Sequence, residues 1–506
     1  MLKKTFKLSQ LILFICTLNF LFFNLPFCTF ILENSNYKTL SGSILIASFM
    51  AMIILANYFV FYLFYSINFL FGRIITSLFF VINAVAVYFI NTYSVIIDES
   101  MIGNIFNTNY AESSSFFALK LVLYLVLLGI IPSILIFKVK IQKVNLKLFF
   151  KNTGIALSLI IIIVIANANN ILWIDKHSKV IGGLAMPWSY TVNIPRYLIH
   201  KNQENEKEIL LPDATITNKE KSVVVLVIGE SARSKNFSLY GYDKNTNPLL
   251  AKTDNLYHFK ATSCATYTTA AVKCLLEHQN TNELYEILPN YLDRNNVAVI
   301  WRTTNWGEPP VHIDKYQKAE DLAPNCKDES CAYDEILLKD LKQEIVNAKQ
   351  DKILIVLHTS TSHGPTYSKK YPKQFEVFKP VCNSVELAHC SNQELINAYD
   401  NTIVYTDYIL HSIIGELEQL KDYKSAMIYV SDHGESLGEK NLYMHGVPMS
   451  IAPKEQYEIP FIVWVSENSK QLKPQEQVSQ NHVFHSVLNF LSINTPFYNE
   501  SLNIFK

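Results

Sequence analysis

The sequence predicts a chain of two parts: five membrane-spanning helices, followed by an α/β domain whose mostly parallel sheet is covered by helices on both faces. Two observations support this fold class. The long apolar segments lie almost entirely before residue 175, and from about residue 221 short apolar strands alternate with helical patterns. Continuous apolar strands separated by helices are typical of parallel sheets buried between helical layers. A chain of 506 residues is long enough for more than one domain.

Five apolar segments make up the first part, at residues 8–32, 43–65, 68–90, 116–139 and 148–173. Each reaches the ~20 residues that a helix needs to cross a bilayer. The first is too long for a secretory signal and lacks a small-residue cleavage site, so we expect it to be retained. Basic residues concentrate before the first segment and between the fourth and fifth. Because positive loops stay inside, the N terminus is predicted to be cytoplasmic and everything after residue 173 to lie outside.

We therefore expect a transmembrane domain at residues 1–173, an interfacial connector at 174–215 and an exported domain at 216–506. The connector mixes aromatic and basic side chains, as segments at a membrane–water interface do. In the exported domain, strands are predicted at 222–230, 297–301, 352–359, 425–432 and 459–466, with helices at 333–348 and 394–420. Acidic and basic residues balance at 44 each, which gives no indication of a nucleic-acid partner.

The cysteines of the exported part fall into three close pairs. Six cysteines allow 15 connectivities, and pairing between neighbours is favoured because each pair brackets a short loop. Disulfides persist in an oxidising compartment such as the periplasm, in agreement with the charge asymmetry. The alternative is a set of buried free thiols. The pairs are Cys264 and Cys274, Cys326 and Cys331, and Cys382 and Cys390.

Acidic and imidazole side chains follow three predicted strands at the point where each strand ends. Because the carboxyl ends of parallel strands meet at one edge of a sheet, residues distant in sequence can converge there. Carboxylate and imidazole ligands without thiolate suit Zn²⁺ or Mn²⁺. Each residue alone could instead cap the helix that follows. The residues are Glu230, His358, His363, Asp432, His433, Glu435 and His445.

A hydroxyl-rich segment, TSCATYTTAAVKCLL at residues 262–276, leads directly into a helical pattern. A threonine at a helix start meets free backbone amides and the positive end of the helix dipole. Thr268 is the natural candidate for a nucleophile, with Thr266 and Thr269 as close alternatives. A bridge between Cys264 and Cys274 would clamp this turn. The competing interpretation is an ordinary capping threonine.

Several segments, in order, resemble the motif series of bacterial phosphoethanolamine transferases: VIGESAR, SCATYTTAAVKC, SHGPTY, AYDNTIVYTDYI and SDHGESLGE followed by YMHGVP. That family includes lipid A enzymes linked to polymyxin resistance and belongs to the alkaline phosphatase/sulfatase superfamily. The resemblance runs from the membrane helices to the C terminus. It implies a multi-pass enzyme of the bacterial inner membrane with a periplasmic catalytic domain. Such an enzyme transfers phosphoethanolamine from phosphatidylethanolamine to lipid A or another surface glycan and releases diacylglycerol.

The resemblance also implies roles for individual residues. A catalytic zinc would be held by Glu230, Thr268, Asp432 and His433, and Thr268 would be the nucleophile that carries the group in a covalent intermediate. The three sequential disulfides of the family fall on the three cysteine pairs. A further set would contact the transferred phosphate or a second zinc: His363, His445 and Glu435.

In the membrane part, MIGNIFNTNYAE resembles the loop that helps to bind the lipid donor. Asn104, Thr108 and Glu112 match it, and their spacing of four would place them on one helical face. Ordinary turn chemistry is the alternative. Two residues depart from the expected motifs, namely Glu308 where lipid A members have a lysine and Lys273 where we expect a proline. These departures concern the phosphate contacts and the acceptor.

Two other functions are compatible with parts of the sequence. A phosphoglycerol transferase of the lipoteichoic-acid-synthase type also joins five helices to this fold, and labelled lipid donors would separate the two. A non-catalytic membrane sensor with a structural zinc is the second alternative. The presence of a reactive threonine among the proposed ligands argues against it. We expect a monomer whose partners are membrane lipid, the phospholipid donor and the glycan acceptor.

Overall fold

The structure, a computed structural model, describes residues 5–35, 37–107, 116–142, 146–167, 170–204, 208–281, 283–325, 329–384, 387 and 390–506. The chain divides into two compact units, Met1–His200 and Lys201–Lys506. The predicted connector at 174–215 is largely helical. The helices of the first unit are α1 (Leu8–Phe23), α2 (Leu25–Asn34), α3 (Leu40–Ile67), α4 (Phe69–Tyr93), α5 (Glu99–Asn107), α6 (Leu119–Tyr124), α7 (Ile131–Lys138), α8 (Leu146–Ala166), α9 (Ile171–Leu184) and α10 (Trp188–Glu204).

Four helical spans in the described ranges are long and apolar enough to cross a membrane. They are α3, α4, the stretch Leu119–Lys138 in which a π-helical segment joins α6 to α7, and Lys147–Ala166 of α8. The first apolar segment is not one helix, because α1 and α2 meet at an angle of 66°. A fifth span exists only if this bent pair is counted as one. Two short strands, β1 (Thr5–Phe6) and β2 (Lys140–Ile141), pair in parallel in the same unit.

The bend between α1 and α2 has an identifiable cause. Asn24 lies at the bend and is fully buried. Its Oδ1 accepts the Met186 N–H at 2.9 Å and its Nδ2 donates to the Met186 carbonyl at 3.1 Å. Pro26 stands in the first turn of α2, where a missing N–H is tolerated, and it cannot continue the ladder of α1. The sequence therefore starts a second helix here, and Asn24 ties it to the segment after α9.

Replacing Asn24 by alanine should destabilise the first unit by about 2 kcal/mol or more, because it strands a buried backbone N–H and a buried carbonyl. Denaturant unfolding of the protein in detergent, followed by circular dichroism, measures the change. Asn34→Ala is the matched control on the neighbouring helix, since its exposed side-chain amide donates within its own turn, to the Phe30 carbonyl at 2.9 Å. Equal stability of the two variants would contradict the role of Asn24.

The second unit contains six α-helices and twelve strands in its described ranges. The helices are α11 (Thr268–Leu276), α12 (Leu288–Arg294), α13 (Ala319–Leu322), α14 (Leu341–Val346), α15 (Asn392–Glu418) and α16 (His482–Phe490). The strands are β3 (Thr215–Ile216), β4 (Ser222–Gly229), β5 (Leu256–Thr262), β6 (Ala298–Thr303), β7 (Lys315–Lys318), β8 (Lys352–His358), β9 (Lys424–Ser431), β10 (Ser436–Leu437), β11 (Tyr443–Met444), β12 (Glu458–Val465), β13 (Gln477–Ser479) and β14 (Ile493–Asn494).

Eight of these strands form one central sheet in the order β13–β5–β12–β9–β4–β8–β6–β7. The sheet is mostly parallel, as the sequence predicts, and β12 alone among them runs antiparallel to its neighbours β9 and β5. Every residue of β4, at the centre, is buried. Helices α11, α12 and α16 pack their apolar residues into the same core, for example Leu275 and Val487. Glu230, the residue directly after β4, therefore follows a fully buried strand.

The helix predicted at 333–348 is broken. A 3₁₀ turn, Asp334–Leu338, is followed by the separate α14. Asp340 adopts a positive φ of 54° between them. The buried Arg302 donates from Nη1 to the carbonyls of Leu337 at 2.9 Å and Lys339 at 2.6 Å. These carbonyls are used by the guanidinium rather than by a continuing helix, which the apolar periodicity alone did not reveal.

Candidate active site

The pairing of β4 with β9 places two acidic residues side by side at the carboxyl edge of the sheet. Gly229, the last residue of β4, pairs with Ser431, the last residue of β9. Glu230 and Asp432 follow directly, and both are buried. The Ser231 amide N–H donates to Asp432 Oδ1 at 3.0 Å, which holds the two strand ends together. The register of the sheet thus creates the pair of carboxylates.

Thr268 and His433 complete a cluster with these carboxylates. Thr268 Oγ1 lies 3.4 Å from Glu230 Oε2 and 3.3 Å from His433 Nε2. His433 Nε2 lies 3.5 Å from Glu230 Oε1 and 3.4 Å from Asp432 Oδ2. The structure therefore brings together, from three separate segments, the four side chains that the resemblance assigns to the metal.

The hydrogen bonds around the cluster leave ligand atoms available for a cation. His433 Nδ1 donates to the Gly434 carbonyl at 2.9 Å, so the lone pair of the neutral ring is on Nε2, which faces the cluster. Asp432 Oδ2 is buried and accepts no hydrogen bond from any residue in the described ranges. Such an acceptor costs free energy unless something satisfies it. Ligand atoms of Glu230, His433 and His445 also lie within 4.8 Å of one another.

The two carboxylates resist carrying two negative charges together. Burial raises the pKa of Asp432 well above its ordinary value, and repulsion from Glu230 raises it further. Burial also acts to raise the pKa of Glu230, but the neighbouring imidazoles, His433 first, outweigh it and lower that pKa. A divalent cation would allow both groups to ionise. The mixture of carboxylate, hydroxyl and imidazole donors fits Zn²⁺ or Mn²⁺.

A second group of side chains lies beside this cluster. His445 Nδ1 is 3.1 Å from Glu435 Oε2 and 3.3 Å from Ser231 Oγ. The ring centroid of His445 is 4.2 Å from that of His433 and 5.5 Å from that of His363. Burial, and then repulsion from His433, lowers the pKa of His445 to about 3. Burial raises the pKa of Glu435 to about 8. The three residues expected to contact phosphate or a second metal thus adjoin the first four.

The turn that carries Thr268 is held on both sides. Thr268 is the first residue of α11, and a disulfide between Cys264 and Cys274 joins the segment before this helix to the helix itself. Thr266 Oγ1 donates to the Val447 carbonyl at 2.6 Å, so that hydroxyl is committed to the backbone. Thr268, rather than Thr266, therefore presents its hydroxyl to the cluster.

Two residues of the site were missed in the sequence. Ser231 Oγ donates to Glu230 Oε1 at 2.6 Å. Asn305 Nδ2 donates to Glu230 Oε2 at 2.7 Å and to the Thr359 carbonyl at 2.9 Å. Both carboxylate oxygens of Glu230 are therefore oriented by neighbours. Each residue lies two positions beyond a strand end, after β4 and β6, and that position was the signal that could have identified them.

The two departures from the expected motifs have defined partners. Glu308 Oε2 lies 3.4 Å from His358 Nδ1, and the Tyr316 hydroxyl donates to the other oxygen. Burial acts to lower the pKa of His358, but the interaction with Glu308 outweighs burial, so the net shift of that pKa is upward. Lys273 Nζ contacts Glu277 Oε2 at 2.9 Å and two backbone carbonyls, so it secures the loop after α11. His358, predicted at a strand end, therefore pairs with Glu308.

The remaining predicted residues lie in several places. Asn104 lies in α5, which packs on α10 through the stacked rings of Phe106 and Tyr197. Thr108, Glu112 and Cys326 lie outside the described residues. Cys331 is disulfide-bonded, and the described cysteines also form the bridges Cys264–Cys274 and Cys382–Cys390.

The fold and the site define the class of protein. Residues 222–493, which contain the sheet and the clustered side chains, match the family model described as Sulfatase. Residues 53–202 match the model described as Phosphoethanolamine transferase EptA/EptB. The two matches together cover most of both units.

Relatives agree with these matches. The chain is 44% identical over 438 residues to phosphoethanolamine transferase EptA of Helicobacter pylori, covering 84% of this chain and 83% of the relative. It is 32% identical over 424 residues to phosphatidylethanolamine transferase Mcr-1 of Escherichia coli, covering 77% of each. The structure of the integral membrane protein EptA from Neisseria meningitidis superposes with a TM-score of 0.87 at 26% identity, covering 98% of each chain. The chain belongs to the phosphoethanolamine transferase family and is a multi-pass membrane protein.

Proposed function

We propose that this protein transfers phosphoethanolamine from phosphatidylethanolamine to lipid A or a core sugar of lipopolysaccharide, through a covalent intermediate on Thr268. The observation that carries the proposal is the placement of the Thr268 hydroxyl at 3.3 Å from His433 Nε2 and 3.4 Å from Glu230 Oε2, at the start of a helix. Family membership supplies the group that is transferred. The site supplies a hydroxyl set among metal-type ligands, which a purely structural site would not need.

In the first step, Thr268 Oγ attacks the phosphorus of the donor lipid. A bond forms between Oγ and phosphorus, the bond from phosphorus to the glycerol oxygen breaks, and diacylglycerol leaves with the proton that the threonine gives up. In the second step, an oxygen of the acceptor forms a bond to the same phosphorus and the bond from phosphorus to Thr268 Oγ breaks. The proton that the acceptor gives up passes to Thr268 Oγ. We assign the phosphoryl oxygens to His445 and His363, which lie beside the cluster.

A catalytic zinc would be held by four residues: Glu230, Thr268, Asp432 and His433. Zn²⁺ would favour the ionised threonine and offset the charge on the phosphoryl oxygens when bound. The buried Asp432 Oδ2 supports this assignment, because it accepts no hydrogen bond within the described ranges. His363, His445 and Glu435 are assigned to the phosphate or to a second zinc.

The membrane part has a physical reason in this function. A two-chain lipid does not leave the bilayer readily, since each buried CH₂ contributes about 0.8 kcal/mol. We assign five crossings, with α1 and α2 as one bent span, to a transmembrane domain at 1–173, followed by a connector at 174–215 and a periplasmic domain at 216–506. The protein would lie in the bacterial inner membrane as a monomer. Asn104, Thr108 and Glu112 are assigned to donor binding.

The test is a transfer assay with the purified full-length protein and radiolabelled lipids in mixed micelles. Ethanolamine-labelled phosphatidylethanolamine should lose its label to lipid A, and glycerol-labelled lipid should yield diacylglycerol in equal amount. Glycerol-labelled phosphatidylglycerol is the parallel donor, and a product formed only from it would assign a phosphoglycerol transferase instead. If the folded, metal-loaded protein forms no product from either donor, the result would favour the interpretation as a non-catalytic sensor.

A further inference from the structure

A single buried side chain connects the two halves of the site. Gln480 lies directly after β13 and is fully buried. Its Oε1 accepts the Cys264 N–H at 2.9 Å. Its Nε2 donates to the Ser431 carbonyl at 3.0 Å and to the Asp432 carbonyl at 2.5 Å. Gln480 thus bonds to the backbone of the turn before Thr268 and to the backbone of the ligand-bearing strand end.

The hydrogen bonds of Gln480 fix its orientation. The amide has two N–H donors, and each has a carbonyl partner, while the oxygen takes the one N–H. The reversed amide would set its oxygen against two carbonyl oxygens, so one orientation is strongly preferred. Buried side chains held in this way have little freedom to let either partner segment move.

Both partner segments are themselves rigid. Cys264 is joined by its disulfide to Cys274 within α11, and that helix begins at Thr268. Asp432 directly follows β9, which is buried at the centre of the sheet. The bond to the Cys264 N–H therefore restrains the position of the turn that carries Thr268. The bonds to the Ser431 and Asp432 carbonyls restrain the position of the proposed ligands.

We propose that Gln480 is a positioning residue for the transfer reaction: its amide sets the separation between the Thr268 hydroxyl and the ligand atoms of Asp432 and His433. The inference rests on the proposed function and adds to it a residue outside the cluster. Its physical basis is that reacting groups must be held in a narrow range of geometry, so a displacement of about 1 Å costs about 10²-fold in rate.

The experiment compares two substitutions at this position. Gln480→Met keeps the length and volume but removes all three hydrogen bonds. Gln480→Glu keeps the shape and the bond to the Cys264 N–H, but directs a carboxylate oxygen at two carbonyls. Asn503→Leu is the matched control, because Asn503 is equally buried and its amide bonds the N–H and carbonyl of Phe505 at 2.9 and 2.6 Å.

The quantities to compare are kcat and KM for labelled phosphatidylethanolamine, the dissociation constant for Zn²⁺ alone and the unfolding temperature. Both Gln480 variants should lose about 10- to 100-fold in kcat or in metal affinity, as removal of groups that orient ligands does. KM for the donor should change by less than about threefold. The control should lose unfolding temperature but keep kcat and metal affinity.

A folded Gln480→Met or Gln480→Glu protein with the kcat and the Zn²⁺ affinity of the control would overturn the proposal. If neither variant folds while the control does, Gln480 is a folding determinant and the positioning role is also rejected. Failure of the proposed function is distinguishable, because the wild-type protein would then show no transfer. The metal affinity of the variants would still report on the geometry of the site.

Discussion

Replacing Thr268 by alanine is expected to lower phosphoethanolamine transfer by about 10³-fold or more, because the residue that accepts the group is removed. The loss should appear in diacylglycerol release as well as in product formation, since the first step itself is blocked. With acceptor withheld, mass spectrometry of the wild-type protein should show one phosphoethanolamine group on the peptide containing Thr268. The alanine variant should show none.

Thr268→Ser separates the hydroxyl from its setting. The serine keeps the nucleophilic oxygen but loses the methyl group, which lies near Gly307: a Cβ added to Gly307 would be 3.2 Å from Thr268 Cγ2. The freed rotamer should reduce kcat by about 10- to 100-fold while the adduct still forms.

Thr269→Ala is the control for the Thr268 substitutions, since it changes the next threonine of the same helix turn. It should retain activity within about threefold of wild type. Because Thr268 is itself assigned to the zinc, each variant is compared at a Zn²⁺ concentration that saturates that variant. A folded, metal-loaded Thr268→Ala protein that still forms product through a modified residue elsewhere would exclude Thr268 as the nucleophile.

The strand ends were the predictable part of this site. Apolar runs identify β4 and β9, and parallel strands must end at the same edge of the sheet. That geometry is sufficient to bring Glu230 and Asp432 together before any side chain is placed. The neighbouring Ser231 and Asn305 were not predicted as site residues, because a polar residue just after a strand has many ordinary roles in turns.

Other features depended on contacts that no local pattern encodes. Gln480 lies between a short edge strand and a helix, and its partners are 216 and 48 residues away in sequence. The direction of β12 is likewise absent from its apolar pattern, since a buried strand has the same composition either way. The bend at Asn24 was different: Pro26 was a visible signal, and the length of the apolar run concealed it.

Removing the proposed zinc should both abolish transfer and destabilise the second unit. A ligand that binds only the folded state adds about 4 kcal/mol of stability when its free concentration is about 1,000 times Kd. Chelation should therefore lower the unfolding temperature, and Zn²⁺ should restore both the temperature and the activity. Mg²⁺ should restore neither, because imidazole ligands do not suit it. Circular dichroism melts and metal analysis of the same samples check the result.

Asp432→Asn should not destabilise the metal-free protein, but it should weaken the stabilisation by zinc. The asparagine side chain would keep an oxygen for the N–H groups of Ser231 and His433, which now bond Asp432 Oδ1 at 3.0 and 2.6 Å. The substitution would remove the free-energy cost of burying an ionisable carboxyl next to Glu230, whose repulsion, after burial, helps to raise the pKa of Asp432. The metal-free variant should therefore be at least as stable as metal-free wild type, yet gain much less stability from zinc.

Asp407→Asn is the matched control for this reversal. Asp407 is also fully buried, burial raises its pKa to about 6, and it accepts the N–H groups of Leu249 and Leu250 at 2.9 and 3.1 Å. It lies on α15, so its variant should gain from zinc as much as wild type does. The gain in stability on adding zinc therefore distinguishes Asp432, which belongs to the carboxylate pair, from Asp407, which is a buried aspartate outside it. An Asp432→Asn protein that zinc stabilises as strongly as wild type would mean that the cation does not bind between Glu230 and Asp432.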